Sequence, residues 1–385
     1  MNFRERVLEQ LSEIEAQGLR RQARQIEGSQ GPRLWVDGRH VIGLCSNNYL
    51  GLARHPALLS AMRTALDEEG LGSGASRQIS GSMRAHLHAE RTLANFVGQP
   101  AAALFSSGYA CNVGVIQALV DRSDVVFSDR LNHASLIDGA RLSRAEVVIF
   151  EHADPDDLAR KLREHRARGR AALVITESLF SMDGDIAPLS EIQRAARDYD
   201  AGLVVDEAHA LGVLGPQGRG VCGSLGIEPE VLIGTLGKAF GAAGAFASAA
   251  NAVVDLIRQR ARSYVFSTAP APSIASAAVV ATRLVSDGDA LRSSLLAHAA
   301  RLREGLRELG YRVLAGKGPI IPVMVGDPAP TMELSRRLFE RGVFVHGVRP
   351  PTVPAGTGRL RVVPMASHTR EDIDDALSAF AEVSR

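Results

Sequence analysis

Cysteine is almost missing from this sequence. Cys45, Cys111 and Cys222 lie far apart in 385 residues and form no C-x-x-C pair. That excludes a disulfide framework and a cysteine-held zinc site, so no metal is expected, and it fits a reducing, cytoplasmic compartment. Charge of one sign is equally scarce. Lys plus Arg total 44 against 43 Asp plus Glu, a formal net charge of +1. Nothing there marks a nucleic-acid or anionic-membrane surface. The arginine-rich run 160–170 has acids between its bases and reads as a solvated helix face. No apolar run reaches the ~18 residues of a membrane-spanning helix. The first ten residues mix acids with bases, unlike a secretory signal or an acid-poor transit peptide. Internal repeats and low-complexity segments are also missing. The stretch Gly70–Gly81 is rich in glycine and serine, but it lacks the lysine of a P-loop and the flanking strand of a dinucleotide fingerprint. It suits a mobile loop beside an active site.

What is present is a long alternation of apolar strands and helical patterns. Residues 3–26 carry Phe3, Val7, Leu8, Leu11, Ile14 and Leu19 at helical spacing, an amphipathic arm that needs a partner surface. A hairpin follows over 34–42, with Asp37-Gly38 as its turn. Between about 85 and 250, seven apolar runs read as strands: 102–106, 125–128, 147–150, 173–176, 203–205, 231–234 and 244–248. Helices between most of them predict a mostly parallel sheet covered on both faces. The tail adds a helix near 290–309, a strand at 320–325, a helix over 331–341, an extended stretch 343–348, a strand at 359–364 and a last helix from about 369. The expected division is 1–45, an N-terminal helical arm and hairpin; 46–285, the major domain; and 286–385, a small C-terminal α/β domain.

Ligands of such sheets bind beyond the carboxyl ends of the strands. Several reactive side chains fall there. Asp206 closes one apolar run and His209 follows it. Glu177 and Ser181 follow another. Thr235 and Lys238 follow a third. Ser106-Ser-Gly-Tyr-Ala110 opens a helix, whose free N–H groups suit a phosphate. A lysine amine forms a Schiff base with a carbonyl, and an acid can hold a pyridinium nitrogen protonated. Lys238 with Asp206 is therefore the pairing a pyridoxal-phosphate site needs. Each residue alone has a blander reading. Asp206 suits a helix cap, His133 a cap histidine, His209 a carbonyl partner, and Arg361 the solvent face of a strand. Ser181 and Thr352 suit turn hydroxyls, and Arg20 and Arg21 suit surface charges.

The motifs taken together resemble the α-oxoamine synthases. They are Ser46-Asn-Asn-Tyr-Leu-Gly51, Ser107-Gly-Tyr-Ala-Cys-Asn112, Asn132-His-Ala-Ser135, Thr176-Glu-Ser-Leu-Phe-Ser-Met-Asp-Gly-Asp185, Asp206-Glu-Ala-His209, Gly215-Pro-Gln-Gly-Arg-Gly220 and Thr235-Leu-Gly-Lys-Ala-Phe-Gly241. The resemblance implies an α/β, pyridoxal-phosphate-dependent fold of the aspartate-aminotransferase type (fold type I). It also implies a seven-stranded, mostly parallel sheet, a smaller C-terminal α/β domain, and a homodimer with its active site at the subunit interface. By the same resemblance Lys238 would carry pyridoxal 5′-phosphate covalently, Asp206 would pair with the ring nitrogen, and His209 with the ring oxygen. His133 would stack on the ring, with Ser181, Gly108, Tyr109 and Thr235 holding ring and phosphate. Ser267 and Thr268 would reach the neighbouring subunit's phosphate. Asn47 and Arg361 would bind the amino-acid carboxylate. Thr352 and an arginine of the arm, Arg20 with Arg21 as its alternate, would contact substrate.

Within the family, Arg349-Pro-Pro-Thr-Val-Pro-Ala-Gly-Thr-Gly-Arg-Leu-Arg361 is most like the members that join L-alanine to a pimeloyl thioester in biotin synthesis. The carrier, coenzyme A or an acyl-carrier protein, is left open. Members that join glycine to acetyl-CoA are the alternative. A non-catalytic regulator on this fold is another class, but such regulators usually carry a helix-turn-helix domain, for which this chain has no room.

Overall fold

The computed structural model of the chain describes residues 1–166 and 169–384. Of the arginine-rich run, residues 167 and 168 therefore lie outside the described residues. The chain divides into two compact units. One holds Met1–Asn47, Met182–Gly184 and Ser294–Arg385, and the other holds Asn48–Ser181 and Asp185–Ser293.

Helix α1 (Phe3–Ala16) starts at a capping box in which the Asn2 side chain accepts from the Glu5 N–H, and the Glu5 side chain from the Asn2 N–H. The periodicity predicted a helix to residue 26. It stops at Ala16 because the chain turns through Gly18, at φ +66°. None of its residues is buried in this chain, and Phe3, Leu8 and Leu11 remain exposed. Strands β1 (Ile26–Glu27), β2 (Arg33–Val36) and β3 (Arg39–Gly43) follow. The β2–β3 turn has both central residues at positive φ, Asp37 at 48° and Gly38 at 74°, which matches the right-handed twist of a hairpin.

The larger unit begins with α2 (Pro56–Glu69) and α3 (Arg84–Val97). It continues through β4 (Ala101–Phe105), α4 (Gly108–Leu119), β5 (Val125–Asp129), α5 (Ala134–Ser143), β6 (Glu146–Phe150), α6 (Pro155–His165), β7 (Ala172–Glu177) and α7 (Leu189–Asp198). Then come β8 (Gly202–Asp206), α8 (Gly220–Leu225), β9 (Val231–Thr235), β10 (Ala245–Ala249), α9 (Asn251–Arg260), α10 (Arg262–Val265) and α11 (Pro272–Ser286). The seven strands lie in the order β4-β10-β9-β8-β7-β5-β6. All are parallel except β10, which runs antiparallel to both neighbours. The seven runs read from the sequence are these strands, shifted by one residue at several ends. Every residue of β5, β7, β9 and β10 is buried, as two covered faces require.

Helix α4 is anchored through Cys111, Val115 and Ile116, each fully buried. A fully buried Val or Ile side chain contributes about 1.5–3 kcal/mol. Its neighbour α5 approaches closely because position 139 is glycine: a Cβ there would lie 3.0 Å from the Asn112 carbonyl oxygen. The glycine- and serine-rich loop before α3 is held at Arg77, whose guanidinium spans both Glu90 oxygens at 2.8 and 3.1 Å.

The chain continues with α12 (Asp289–Glu308), β11 (Ile321–Gly326), α13 (Pro328–Glu340), β12 (Val343–Phe344), β13 (His346–Val348), β14 (Gly358–Val362) and α14 (Arg370–Val383). The expected single stretch 343–348 is two strands. After Phe344 the pairing changes partner: β12 is parallel to β3, whereas β13 is antiparallel to β14. Sheet order in this unit is β1-β2-β3-β12 and β11-β14-β13, around a core that includes Leu44, Leu302, Val323, Leu360 and Phe380.

An ionic knot braces the carboxyl end of β5. His152 Nδ1 meets Asp129 Oδ1 and its Nε2 meets Asp185 Oδ2, each at 2.9 Å, with Phe180 edge-on to the ring. Burial opposes the charge, but the hydrogen bonds and fields of the two carboxylates raise the His152 pKa to about 10. Because this folded value lies above the ordinary 6.5, the stabilisation is complete below the ordinary value. It is lost as pH rises through about 10. His152→Phe should therefore lower the thermal midpoint strongly at pH 6 and little at pH 10. An equal loss at both values, in melts across the range, would show that the knot is not ionic.

Candidate functional site

In the larger unit, a cavity of about 200 Å³ opens at the carboxyl ends of the parallel strands, lined among others by His133, Glu177, Asp206, His209, Thr235 and Lys238. Register explains the convergence. Glu177 and Asp206 are Cα partners at the ends of β7 and β8, and β9 ends beside them in Thr235. The helix start at Gly108 faces the same end, capped by Ser107, whose Oγ accepts from the Ala110 N–H at 3.1 Å.

Lys238 stands on a short excursion between β9 and β10. The Leu236 N–H donates to the Gly244 carbonyl at 2.9 Å, and the Gly241 N–H to the Lys238 carbonyl at 3.0 Å. Gly241 turns at φ +64° directly against Leu52 and Ala53, where a Cβ would come within 2.5 Å of backbone. Only glycine fits there. The buried Phe240 packs edge-on against Phe96. Lys238 Nζ lies 2.8 Å from His209 Nε2, and His209 Nδ1 lies 2.6 Å from Tyr49 Oη. With the lysine amine donating to Nε2, the imidazole proton resides on Nδ1 and is donated to the tyrosine oxygen.

Asp206 is buried and oriented by two donors. Its Oδ2 accepts from Asn112 Nδ2 at 2.7 Å, and its Oδ1 from the Ala208 N–H at 2.8 Å. Asn112 Nδ2 also meets Ser135 Oγ at 2.8 Å, while Asn112 Oδ1 is buried without a hydrogen-bond partner. His133 is the N-cap of α5, its Nδ1 accepting from the Ser135 N–H at 3.2 Å, and it also lines the cavity. It is thus a helix cap and part of the cavity lining at once. Its backbone N–H donates to Glu177 Oε1 at 2.7 Å. Burial lowers the His133 pKa, opposed by Asp206 and assisted by Lys238. Glu177 moves the other way: burial first, then the field of Asp206, pushes it up to about 8.

The residues fit pyridoxal phosphate. Asp206, buried and held in one orientation by two donors, suits a protonated ring nitrogen. The partnerless Asn112 Oδ1 is a further polar atom without an answer from the protein. Thr235 Oγ1 and the start of α4 present hydroxyl and N–H groups for a phosphate. The chain's lysines are Lys161, Lys238 and Lys317, and of these Lys238 lines the cavity.

Gly108, Tyr109, His133, Asp206, His209, Thr235 and Lys238, all singled out from sequence, come together in this lining. Ser181 is buried just past β7, outside the lining. Ser267 and Thr268 follow α10, where Thr268 bridges to Ser76, and they too lie outside it. The other unit holds the remaining candidates in two sets. Arg361 Nη1 donates to Asn47 Oδ1 at 3.0 Å, and Arg21 Nη2 to Thr352 Oγ1 at 3.2 Å. Arg20 pairs instead with the exposed Glu15 at 2.6 Å. Sequence reasoning quoted Asn112, Ser135, Tyr49 and Glu177 within motifs without giving them roles. Asn112 was findable: four residues past Gly108, it lies on the same helix face. Among the described residues, no group of His, Cys, Asp and Glu is arranged to hold a metal, and no helix is long and apolar enough to cross a membrane.

The class I and II aminotransferase model matches residues 39–380. The 8-amino-7-oxononanoate synthase of Geobacter sulfurreducens is 48% identical over 98% of this chain and 97% of its own length. That of Methylococcus capsulatus is 48% identical over 97% and 96%. Among solved structures, the serine palmitoyltransferase of Sphingomonas wittichii superposes with a TM-score of 0.93 at 33% identity, covering 99% of this chain and 96% of that one. The enzyme of S. paucimobilis, with bound PLP–myriocin, gives 0.94 at 31%, covering 99% and 98%. The 8-amino-7-oxononanoate synthase of Francisella tularensis gives 0.77 at 28%, covering 89% and 97%.

Glu177→Gln offers a test of the acid pair. The amide oxygen still accepts from the His133 N–H, but the group no longer titrates. Wild-type Glu177 keeps its proton up to about 8, against an ordinary 4.5. Its contribution is present at acid pH and lost as pH rises through the folded value. The variant should match wild type near pH 4 and gain on it towards pH 9 in thermal melts. A constant difference across that range would refute the acid-pair account.

Proposed function

The chain belongs to the class I and II aminotransferase family, among the 8-amino-7-oxononanoate synthases, and from that membership we propose that it joins L-alanine to a pimeloyl thioester with loss of carbon dioxide and the thiol carrier. It is an acyltransferase of fold type I, and pyridoxal 5′-phosphate is its cofactor. The observation that carries the reading is the lysine held 2.8 Å from His209 in a cavity that also contains a doubly oriented Asp206.

When bound, pyridoxal phosphate supplies an electron sink for the carbanion formed at the amino-acid Cα. Asp206 is assigned to the ring nitrogen, which must stay protonated, and the Asn112 and Ala208 donors hold its carboxyl group in one orientation. Thr235, Gly108, Tyr109 and Ser181 are assigned to the cofactor's phosphate and ring, as are Ser267 and Thr268 toward a second subunit. His209 is assigned to the ring oxygen. Lys238 Nζ takes the Cα proton once freed, which requires the neutral amine. Arg361, steadied by Asn47, is assigned to the amino-acid carboxylate, fixing which Cα bond is labile. His133, kept neutral chiefly by burial, is assigned to the ring face and to a hydrogen bond with the thioester oxygen. Arg21 and Thr352 are assigned to the acyl substrate. The exposed apolar stripe of α1 supports a homodimer, and the free cysteines support a cytoplasmic setting.

Two measurements test this. Lys238→Ala should abolish the visible absorbance of the lysine-bound cofactor and reduce turnover at least ~10⁴-fold, as expected when a covalent and general-base group is lost. Unchanged absorbance would remove Lys238 from its role. In thiol-release assays of the wild-type holoenzyme, L-alanine with a pimeloyl thioester should turn over. Preference for glycine with acetyl-CoA would leave cofactor and fold intact but overturn the substrate assignment.

A further inference from the structure

Ser135 lies two residues past His133, the N-cap of α5, and is fully buried. A cap side chain accepts a backbone N–H of the first helical turn. Here the Ser135 N–H donates to His133 Nδ1 at 3.2 Å, and the Ser135 Oγ lies 2.7 Å from the same nitrogen. A backbone N–H can only donate, so Nδ1 is an acceptor and carries no proton. An imidazole that accepts at Nδ1 is neutral and has its proton on Nε2. Among the described residues, Nε2 makes no hydrogen bond, and the ring it belongs to lines the cavity.

The serine hydroxyl is directed from its other side. Asn112, 2% exposed, donates through Nδ2 to Asp206 Oδ2 at 2.7 Å and to Ser135 Oγ at 2.8 Å. With Oγ accepting from the amide, its own hydrogen is left for His133 Nδ1. A chain of hydrogen bonds thus runs from Asp206 on β8, through Asn112 on α4 and Ser135 on α5, to His133. The backbone of His133 is fixed as well. Its N–H donates to Glu177 Oε1 at 2.7 Å, and its carbonyl accepts from the Leu136 N–H at 2.9 Å. The titratable groups facing the imidazole are Asp206 on β8, Lys238 after β9, Asp138 on α5 and Glu177 at the end of β7. The reading above gives His133 a hydrogen bond to the thioester oxygen. A carbonyl oxygen can only accept, so the ring must present an N–H to the cavity. The opposite tautomer would present a lone pair there. A doubly protonated ring could not accept from Ser135.

We propose that Ser135, oriented by Asn112, is a positioning residue that holds His133 as the Nε2–H tautomer and so makes it a hydrogen-bond donor toward the acyl oxygen. The role toward the oxygen rests on the pimeloyl reading above; the tautomer rests on the protein's own hydrogen bonds. The test is a titration of the holoenzyme labelled with ¹⁵N-histidine, followed by long-range ¹H–¹⁵N correlation spectra. The His133 signals are identified by their loss in His133→Gln. Wild type should show a pyridine-type Nδ1 and a pyrrole-type Nε2. A donor on Nδ1 favours the neutral ring, so Ser135→Ala should mix the two tautomers and let His133 take a proton at higher pH than in wild type. Its kcat with L-alanine and a pimeloyl thioester should fall about 2- to 10-fold, the worth of one hydrogen bond, with the KM for L-alanine unchanged. Ser135→Thr, which keeps the hydroxyl, should restore the wild-type pattern. A wild-type proton on Nδ1 overturns the inference. So does a Ser135→Ala variant with lower activity but an unchanged His133 pattern and titration, the mark of a structural role only. Absence of thiol release by wild type with L-alanine and a pimeloyl thioester overturns the functional reading and with it the role toward the acyl oxygen, while the spectrum alone judges the tautomer. The wild-type spectrum decides even if the variants fail to fold.

Discussion

A buried carboxylate beside another buried carboxyl is the constraint around which the larger unit is arranged. Asp206 and Glu177 close adjacent parallel strands in register, both inside the protein. Parallel pairing forces this, because neighbouring strands end at the same side of the sheet. Burial first, and then the like charge of Asp206, makes Glu177 hold its proton to about 8. Asp206 is oriented by Asn112 and the Ala208 N–H. Both side chains line the cavity at the strand ends.

The rest of the site follows from keeping that charge in place. Asn112 can reach Asp206 because α4 is locked by its buried face and by the close approach of α5 at Gly139. The excursion carrying Lys238 is fixed by Gly241, pressed on Leu52 and Ala53. His209 links the lysine to Tyr49. In the smaller unit Arg359 pairs with Asp183, and Arg361 donates to Asn47 Oδ1.

Much of this was legible in the sequence. The seven strands were readable because parallel strands buried on both faces are short continuous apolar runs. Lys238, Asp206, His209, Thr235 and the Gly108 helix start were readable because they follow such runs directly. What escaped depended on pairing partners. The antiparallel direction of β10 has no local signature: Ala245–Ala249 is as apolar as its parallel neighbours. The division of 343–348 between two sheets is decided by β3 and β14, far away in sequence. The arm ended early because Gly18 takes a left-handed conformation that apolar spacing does not report. Of the adjacent Arg20 and Arg21, it is Arg21 that meets Thr352, 331 residues along the chain.

By itself, then, the sequence determined the layered α/β class, the order of strands along the chain, and the residue types able to hold a phosphate, a protonated ring and a covalent carbonyl. These are local properties: periodicity, glycine and a reactive side chain after an apolar run. Only the tertiary structure decided which acids become neighbours, and hence that Glu177 shifts its proton affinity. It alone brought Asn112 to Asp206 and buried Arg349 near Arg21. Those are consequences of register and packing between segments distant in the chain, and electrostatic fields depend on distance in space, not on separation in sequence.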